Sequence, residues 1–400
     1  MVDVSIRPAT DDDFLAMTIA DGRAFGETWS EQDRELFKPR ADLGRFRLGF
    51  DGDDLVAIAG SYGMDLTVPG GAQVHAGGVT WVSVAVTHRR RGLLRRMMAE
   101  VHDDITARGE PVAILTASEG GIYERFGYGV ATKRRVVEID RRRTQLHDRF
   151  VPDDPLRLVA PSEHLAALTE IYDRYRREQV GAVDRSAAWM EMLVHDYGEG
   201  AAAALHPDGY AIWKVTEEWN DGFPANQVAL HEVVACTPEA HAALWNAVLG
   251  IDLAGTVRTS RAVAEDDPLP YLVTDQRQIR TTNLVDMLWL RPMDVQAALV
   301  ARTYGTDDRL VIELADDGAP GGGTSWRIDG SPEGAEVTSD GADAPDLVTD
   351  RASLGAMYLG GVRPTSLAAG RRVQARSDDV LRRADHFFAA TQRPHCNTGF

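Results

Sequence analysis

Only two cysteines, Cys236 and Cys396, occur in 400 residues, too few for a disulfide framework and without the spacing of a metal-ligand pair. That scarcity fits a reducing compartment. Lysine is nearly absent as well: Lys38, Lys133 and Lys214 are the whole supply, and arginine carries almost all the positive charge. Abundant arginine and alanine are what a GC-rich genome gives, so they do not by themselves mark a binding surface. No apolar run approaches membrane-spanning length. Met1 leads almost at once into the strand-like Val4-Ser5-Ile6-Arg7, leaving no room for a charged leader and apolar stretch, so a cytoplasmic protein is expected. Neither Gly-x-Gly-x-x-Gly after a strand nor Gly-x4-Gly-Lys-Ser/Thr is present, which removes two common nucleotide-phosphate loops.

What is present is ordinary globular material. A hydrophobic content of 44% with 26% charged residues describes a soluble protein with ample core, long enough for two or three domains. The net charge of -18 argues against nucleic acid and anionic membranes as partners and favours cationic small substrates.

One stretch stands out. In Trp81-Val82-Ser83-Val84-Ala85-Val86 the valines alternate with small residues, the period-two pattern of a strand. Thr87-His88-Arg89-Arg90-Arg91-Gly92 then turns the chain, and Leu93, Leu94, Met97, Met98, Val101 and Ile105 fall on one face of a helix. Gly109 stands where a left-handed cap is expected. Pro111-Val112-Ala113-Ile114-Leu115-Thr116 reads as the next strand, so the unit is β-α-β with a parallel pair. A helix start leaves amide hydrogens unpaired at the positive end of the macrodipole. Gly92 lets backbone approach an anion, and Arg89, Arg90 and Arg91 add charge and forked donors. Three arginines alone would be an ordinary solvated turn; the β-α-β setting makes the segment a candidate phosphate site.

In chain order, Ile6-Arg7-Pro8-Ala9-Thr10 is a strand and Asp11-Asp12-Asp13 an acidic cap for a helix through Phe14, Met17 and Ile19. A short helix follows Thr28-Trp29-Ser30. Residues 46–50 and 55–62 pair across Asp51-Gly52-Asp53-Asp54. Pro69-Gly70-Gly71 turns into the long strand, and 112–117 with 128–139 complete a mixed sheet. Near residue 155 the opening pattern returns as Leu156-Arg157-Leu158-Val159-Ala160-Pro161-Ser162-Glu163. A second copy of the design is expected, with Ala229 to Ala235 as central strand and His241, Leu244, Trp245, Val248 and Leu249 on the helix after it. Its linking turn is Cys236-Thr237-Pro238-Glu239-Ala240, where Pro238 suits a helix start but Glu239 repels phosphate. This copy is expected not to bind a phosphate cofactor. A third region opens at Pro292: helix around Val295 to Val300, strand Leu310 to Leu314, a glycine-rich turn Gly318 to Gly323, strand Trp326 to Ile328, a break at Asp343-Ala344-Pro345, and helices at Asp350 to Leu354 and Asp379 to Phe387.

The basic turn resembles the pyrophosphate loop Arg/Gln-x-x-Gly-x-Gly/Ala of the GNAT superfamily of N-acyltransferases, with Arg89, Gly92 and Leu94 at its positions. Leu94 departs from the small residue usual there. Thr87-His88-Arg89-Arg90-Arg91-Gly92-Leu93-Leu94-Arg95, Ala117-Ser118-Glu119-Gly120-Gly121-Ile122-Tyr123, Arg125-Phe126-Gly127-Tyr128-Gly129 and the ending Thr398-Gly399-Phe400 resemble, more closely, the Eis (enhanced intracellular survival) acetyltransferases of actinobacteria. The resemblance implies an α/β (α+β) fold: a GNAT acetyl-CoA-binding domain over 1–150, a degenerate GNAT-like domain over 151–288, and a sterol-carrier-like domain over 289–400.

It also implies acetyl transfer from acetyl-CoA directly to amines, with aminoglycosides as a plausible acceptor, no metal, and a homohexamer. By the same resemblance the backbone of Val82, Ser83 and Val84 pairs with the pantetheine arm, amides across Arg90, Arg91, Gly92, Leu93, Leu94 and Arg95 hold pyrophosphate, and Ser118 and Glu119 make a further coenzyme contact. Tyr123 aligns with the general acid: a phenol of pKa ~10 stays protonated at neutral pH and can protonate a thiolate of similar basicity. Read by spacing alone it is a core tyrosine, and Tyr128 competes. The carboxylate of Phe400 aligns with the general base, made more basic if burial of the ring dries its surroundings. Among histidines, His75, His88 and His195 sit in no recognisable site. Glu27 and Trp81 are assigned to the acceptor pocket. Two other functions stay open: a peptide or protein lysine acetyltransferase, and a lipid-binding or scaffolding protein with an inactive GNAT domain.

Overall fold

The computed structural model describes residues 4–150, 156–315, 323–339 and 344–400. The expected glycine-rich turn lies largely, and Asp343 wholly, outside the described residues, and so do 151–155 beside the expected first boundary. Contacts divide the chain into two compact units: residues up to 132 with 287–392 and 399–400, and residues 133–286 with 393–398.

The first unit is built on strands β1 (Ser5–Pro8), β2 (Arg47–Asp51), β3 (Asp54–Thr67), β4 (Gln73–Val84), β5 (Val112–Thr116) and β6 (Gly129–Val130), with helices α1 (Phe14–Phe25), α2 (Glu31–Phe37) and α3 (Leu93–Ala107). Strands β1 to β5 lie in sequence order, and Leu288–Pro292 inserts between β5 and β6. The face of α3 read from the sequence is the buried one: Leu93, Met97, Met98, Val101 and Ile105 are each 4% exposed or less. They pack with Val56, Ala57, Val79, Ala113, Leu115 and Trp289 on one face of the sheet. Burial of each large apolar side chain contributes about 1.5–3 kcal/mol before entropy is charged against it. Gly109 takes φ +72° just past the helix, as expected.

Strands β4 and β5 run parallel only from Ala76 opposite Val112 to Val79 opposite Leu115. Beyond that point β4 carries a bulge against β3, where the register shifts between Ile58 and Gly60, and Trp81 takes φ +52°. A bulge bends the strand that bears it and sharpens its twist. The last residues of β4 therefore leave β5, and between these two strands the sheet opens.

The segment 128–139, expected as one strand of this sheet, divides. Gly129–Val130 stays beside Leu288–Pro292, whereas β7 (Lys133–Asp140) pairs with Ala254–Val263 and Ile279–Asp286 in the other sheet. Val137 and Ile139 alternate along β7, and both are fully buried. Period-two pattern fixes a strand's faces but not its neighbours. The Leu288 amide donates to Thr132 Oγ1 at 3.0 Å, pinning the change of sheet.

The third region belongs to the first unit. Its five strands, including Asp308–Leu314, Thr324–Ser331 and Gly334–Ser339, carry the helices Arg351–Tyr358 and Asp378–Phe388. Tyr304, Leu310, Trp326, Ile328, Leu354, Phe387 and Phe388 fill its core. Arg351 Nη1 donates to the Pro292 carbonyl at 2.6 Å, and Arg372 bridges Asp350 and Glu124.

The second unit repeats the plan. Asn226–Ala235 and Ala254–Val263 run parallel on either side of the helix Pro238–Leu249. At its centre Arg185 and Glu232 pair at 2.7 Å with side chains 0% and 1% exposed. Tyr210 donates to Glu232 at 3.0 Å and Asn397 Nδ2 to the same carboxylate at 3.0 Å, while Arg185 Nε reaches Thr398 Oγ1 at 2.9 Å. Beyond its own two bonds the pair is thus held by the chain's tail and by Tyr210; removing one member would strand a buried charge at about 3–5 kcal/mol.

Candidate active site

The open edge of β4 leads through a single turn into the start of α3. Val82, Ser83 and Val84 are half-buried on β4, on the stretch beyond the pairing with β5. The turn that follows is held by Arg89 Nε donating to the Val84 carbonyl at 3.3 Å. Arg90 adopts φ +62° and Gly92 φ +79°. A Cβ at Gly92 would meet nothing within 4 Å, so glycine is there for the left-handed backbone and not for lack of space. Gly92 is the N-cap of α3, no side chain caps the helix, and no acidic residue lies in its first turn. Arg90, Arg91 and Arg95 are exposed and form no ion pair with the described residues. Leu93 is buried and Leu94 half-buried in the core beneath. Positive charge and unpaired amides converge there without an internal anion.

The corresponding helix start in the second unit is already satisfied. Thr237 caps Pro238–Leu249 by accepting from the Ala240 amide, Pro238 fills the first turn, and Glu239 adds negative charge. The contrast expected from sequence is present in the geometry.

Tyr123 lies after the turn that carries Ser118 and Glu119, both exposed, where the Ile122 amide bonds the Glu119 carbonyl at 3.3 Å. Its ring packs against the cluster that also receives Val82, Val84, Leu94 and Ala117, and meets Tyr128 edge-on at 6.2 Å. No described residue hydrogen-bonds its hydroxyl. Burial, and then the negative charge of Glu119, raise its pKa above the usual 10. Tyr128 is different: fully buried, its hydroxyl is 2.9 Å from His102 Nε2. Burial, then Arg291 and Arg351, push His102 down to about 3, so it stays neutral as partner to Tyr128.

On the opposite face of the sheet sits Phe400. Val79 belongs to the α3 side, so Gly78 faces away from it. A Cβ on Gly78 would lie 2.7 Å from Met64 Sδ and 3.2 Å from Phe400 Cε2, so a side chain there would displace one or both. Phe400 is half-buried. Its amide donates to Thr116 Oγ1 at 3.2 Å, and that hydroxyl donates to the Phe400 carboxylate at 2.6 Å. Tyr62, opposite Gly78 in the β3–β4 register, lies on the same face.

Trp81 is buried in an aromatic wall, 5.2 Å from Trp29, 4.9 Å from Phe37 and 5.7 Å from Phe46 between ring centres. Glu27 is exposed and acts electrostatically on Asp21. Sequence reading missed Asp21. It is 5% exposed, accepts from Trp29 Nε1 at 3.3 Å, and its pKa rises to about 6, chiefly through burial. The fold therefore favours its neutral form: its contribution is present below pH 4 and is lost as pH rises through 6. Asp21→Asn, neutral throughout, is expected to stabilise the protein by about 1–2 kcal/mol above pH 7 and negligibly near pH 4, as read by urea unfolding at both pH values. Equal effects at both would contradict this account. A lone aspartate on a helix carries no sequence mark of this kind, and neither does Thr116; Gly77-Gly78 inside a strand pattern was the one available signal of close approach.

Among the described residues no group of histidine, cysteine and carboxylate could hold a metal, and no helix is long and apolar enough to cross a membrane. Cys236 and Cys396 are unpaired with each other.

Comparison with known proteins agrees with the geometry. Residues 5–131 and 181–292 each match an acetyltransferase (GNAT) domain family, and 295–397 a sterol carrier protein domain family. The chain is 40% identical to N-acetyltransferase Eis of Mycobacterium tuberculosis over 85% of its own length and 84% of that protein's. It is 38% identical to an uncharacterized N-acetyltransferase of Streptomyces coelicolor over 92% and 91%. Among solved structures, Eis1 from Mycobacterium abscessus superposes with TM-score 0.89 at 33% identity, covering 99% of this chain and all of that one. Two GNAT domains and a sterol-carrier-type domain, opened at β4 and charged at α3, place this chain in the Eis family of N-acetyltransferases.

Proposed function

We propose that this protein transfers acetyl from acetyl-CoA to amines of cationic acceptors, aminoglycosides foremost, at one site in its first unit. The observation that carries the reading is the freed edge of β4 running into a helix start with no cap, no acid and three exposed arginines nearby. An extended amide-bearing arm pairs with such an edge as an added strand would, and a pyrophosphate fits unpaired amides at a positive dipole end. In this reading Val82, Ser83 and Val84 hold the arm, the amides from Arg90 to Arg95 hold the pyrophosphate, and Ser118 and Glu119 touch the coenzyme beyond it. Acetyl-CoA supplies an activated thioester. The protein supplies Tyr123 as proton donor to the departing sulfur, the Phe400 carboxylate as acceptor of the amine proton, and Glu27, Trp81 and Asp21 as the acceptor wall.

The deciding experiment is a thiol-release assay over a panel of aminoglycosides, simple diamines and lysine peptides. Turnover on aminoglycosides supports the proposal; lysine peptides outrunning all of them would assign the acceptor to protein instead. Working in the cytoplasm as a hexamer belongs to the same proposal, and light scattering in solution tests the assembly.

The second unit takes no coenzyme in this account. Gly92→Val, forced from φ +79°, is expected to abolish acetyl-CoA binding by calorimetry, and Pro238→Ala to leave it unchanged. A titration showing two coenzyme sites per chain would refute the assignment.

A further inference from the structure

We infer that Thr116 is a positioning residue for the terminal carboxylate, fixing where it stands and how readily it accepts a proton. The inference rests on the reading of Phe400 as general base. Thr116 closes β5, one residue beyond the last β4–β5 pair, Val79 with Leu115, so its side chain stands at the mouth of the opened sheet. Its hydroxyl grips Phe400 twice: it accepts from the amide at 3.2 Å and donates to a carboxylate oxygen at 2.6 Å. One rotatable hydroxyl thereby fixes both backbone groups of the last residue. Gly78, on which the Phe400 ring lies, carries no charge. Among the described residues Phe400 forms no ion pair, so Thr116 is its polar anchor.

The two bonds have opposite consequences for catalysis. Holding the carboxylate raises turnover, because a base displaced by ~1 Å forfeits about a hundredfold in rate. Donating a hydrogen bond to the ionised form makes that form less eager for a proton. Threonine cannot itself take the amine proton at neutral pH, which separates its part from that of the carboxylate.

The test is a set of variants of the full chain. Thr116→Val keeps the β-branched shape and removes the hydroxyl; Thr116→Ser keeps the hydroxyl. For the valine variant we expect kcat reduced about 10–100-fold, an unchanged KM for acetyl-CoA and melting temperature, and the acidic limb of the pH–rate profile moved to higher pH. The serine variant should recover most of the rate and the original limb. Valine with normal rate and limb, valine slow with an unmoved limb, or serine as slow as valine would each overturn the inference. A chain lengthened beyond Phe400 distinguishes the levels: if it is fully active, the reading of the carboxylate as base falls. If it is inactive while Thr116→Val is normal, only the role of Thr116 falls.

Discussion

Tyr123→Phe is expected to retain acetyl-CoA affinity and lose ~10²–10⁴ in turnover, the usual worth of a general acid, equivalent to ~3–5 kcal/mol of barrier. The substitution removes one hydroxyl that bonds no described residue, so nothing structural is lost with it. Packing against the cluster of Val82, Val84 and Leu94 is untouched, since phenylalanine fills the same space. Burial and Glu119 hold the phenol above its ordinary pKa, so it remains protonated through neutral pH and is available as donor. Tyr128→Phe should behave in the opposite way. Its hydroxyl meets His102 at 2.9 Å in a dry core, and losing it leaves a buried imidazole without that partner at about 1–3 kcal/mol of stability, with turnover near normal. Steady-state kinetics and melting curves for both variants decide the matter; a crippled Tyr128→Phe beside a healthy Tyr123→Phe would reverse the roles.

Extending the chain past Phe400 is the second large effect. A peptide bond there turns the carboxylate into a neutral amide, and turnover is expected to fall ~10²-fold or more while acetyl-CoA binding and melting temperature hold. Chain ends are normally frayed and tolerant. Here Asn397 and Thr398 are 4% and 1% exposed, bonded to Glu232 and Arg185. Phe400 itself is held by Thr116. Holding these residues costs conformational entropy, which the bonds to Glu232, Arg185 and Thr116 offset. Full activity in a C-terminally extended enzyme would exclude this mechanism.

The strand, turn and helix from β4 to α3 were legible in sequence because their parts are local. Strand alternation at Val82 and Val84, the glycine at 92 and the apolar face of α3 each follow from residues within a few positions. The second unit's closed counterpart was equally readable, since Thr237, Pro238 and Glu239 act on the helix that they begin. What escaped were pairings across long separations. Residues 284 apart bring Thr116 to Phe400, and no periodicity marks either. The split of 128–139 between two sheets escaped for the same reason: Val137 and Ile139 face inward in either sheet, and which edge accepts β7 depends on partners more than a hundred residues away. Asp21 escaped because its character comes from burial beside Trp29, not from its neighbours in the chain.

The tilted pair of Trp29 and Trp81, with ring centres 5.2 Å apart at 55°, is close enough for its indole transitions to couple. Coupled, non-parallel rings give a signed couplet in circular dichroism that depends on their mutual angle. Trp81 rides on the bulge that opens the sheet, and Trp29 is tethered to Asp21. The protein thus carries its own optical gauge of this aromatic wall, readable without turnover, label or coenzyme.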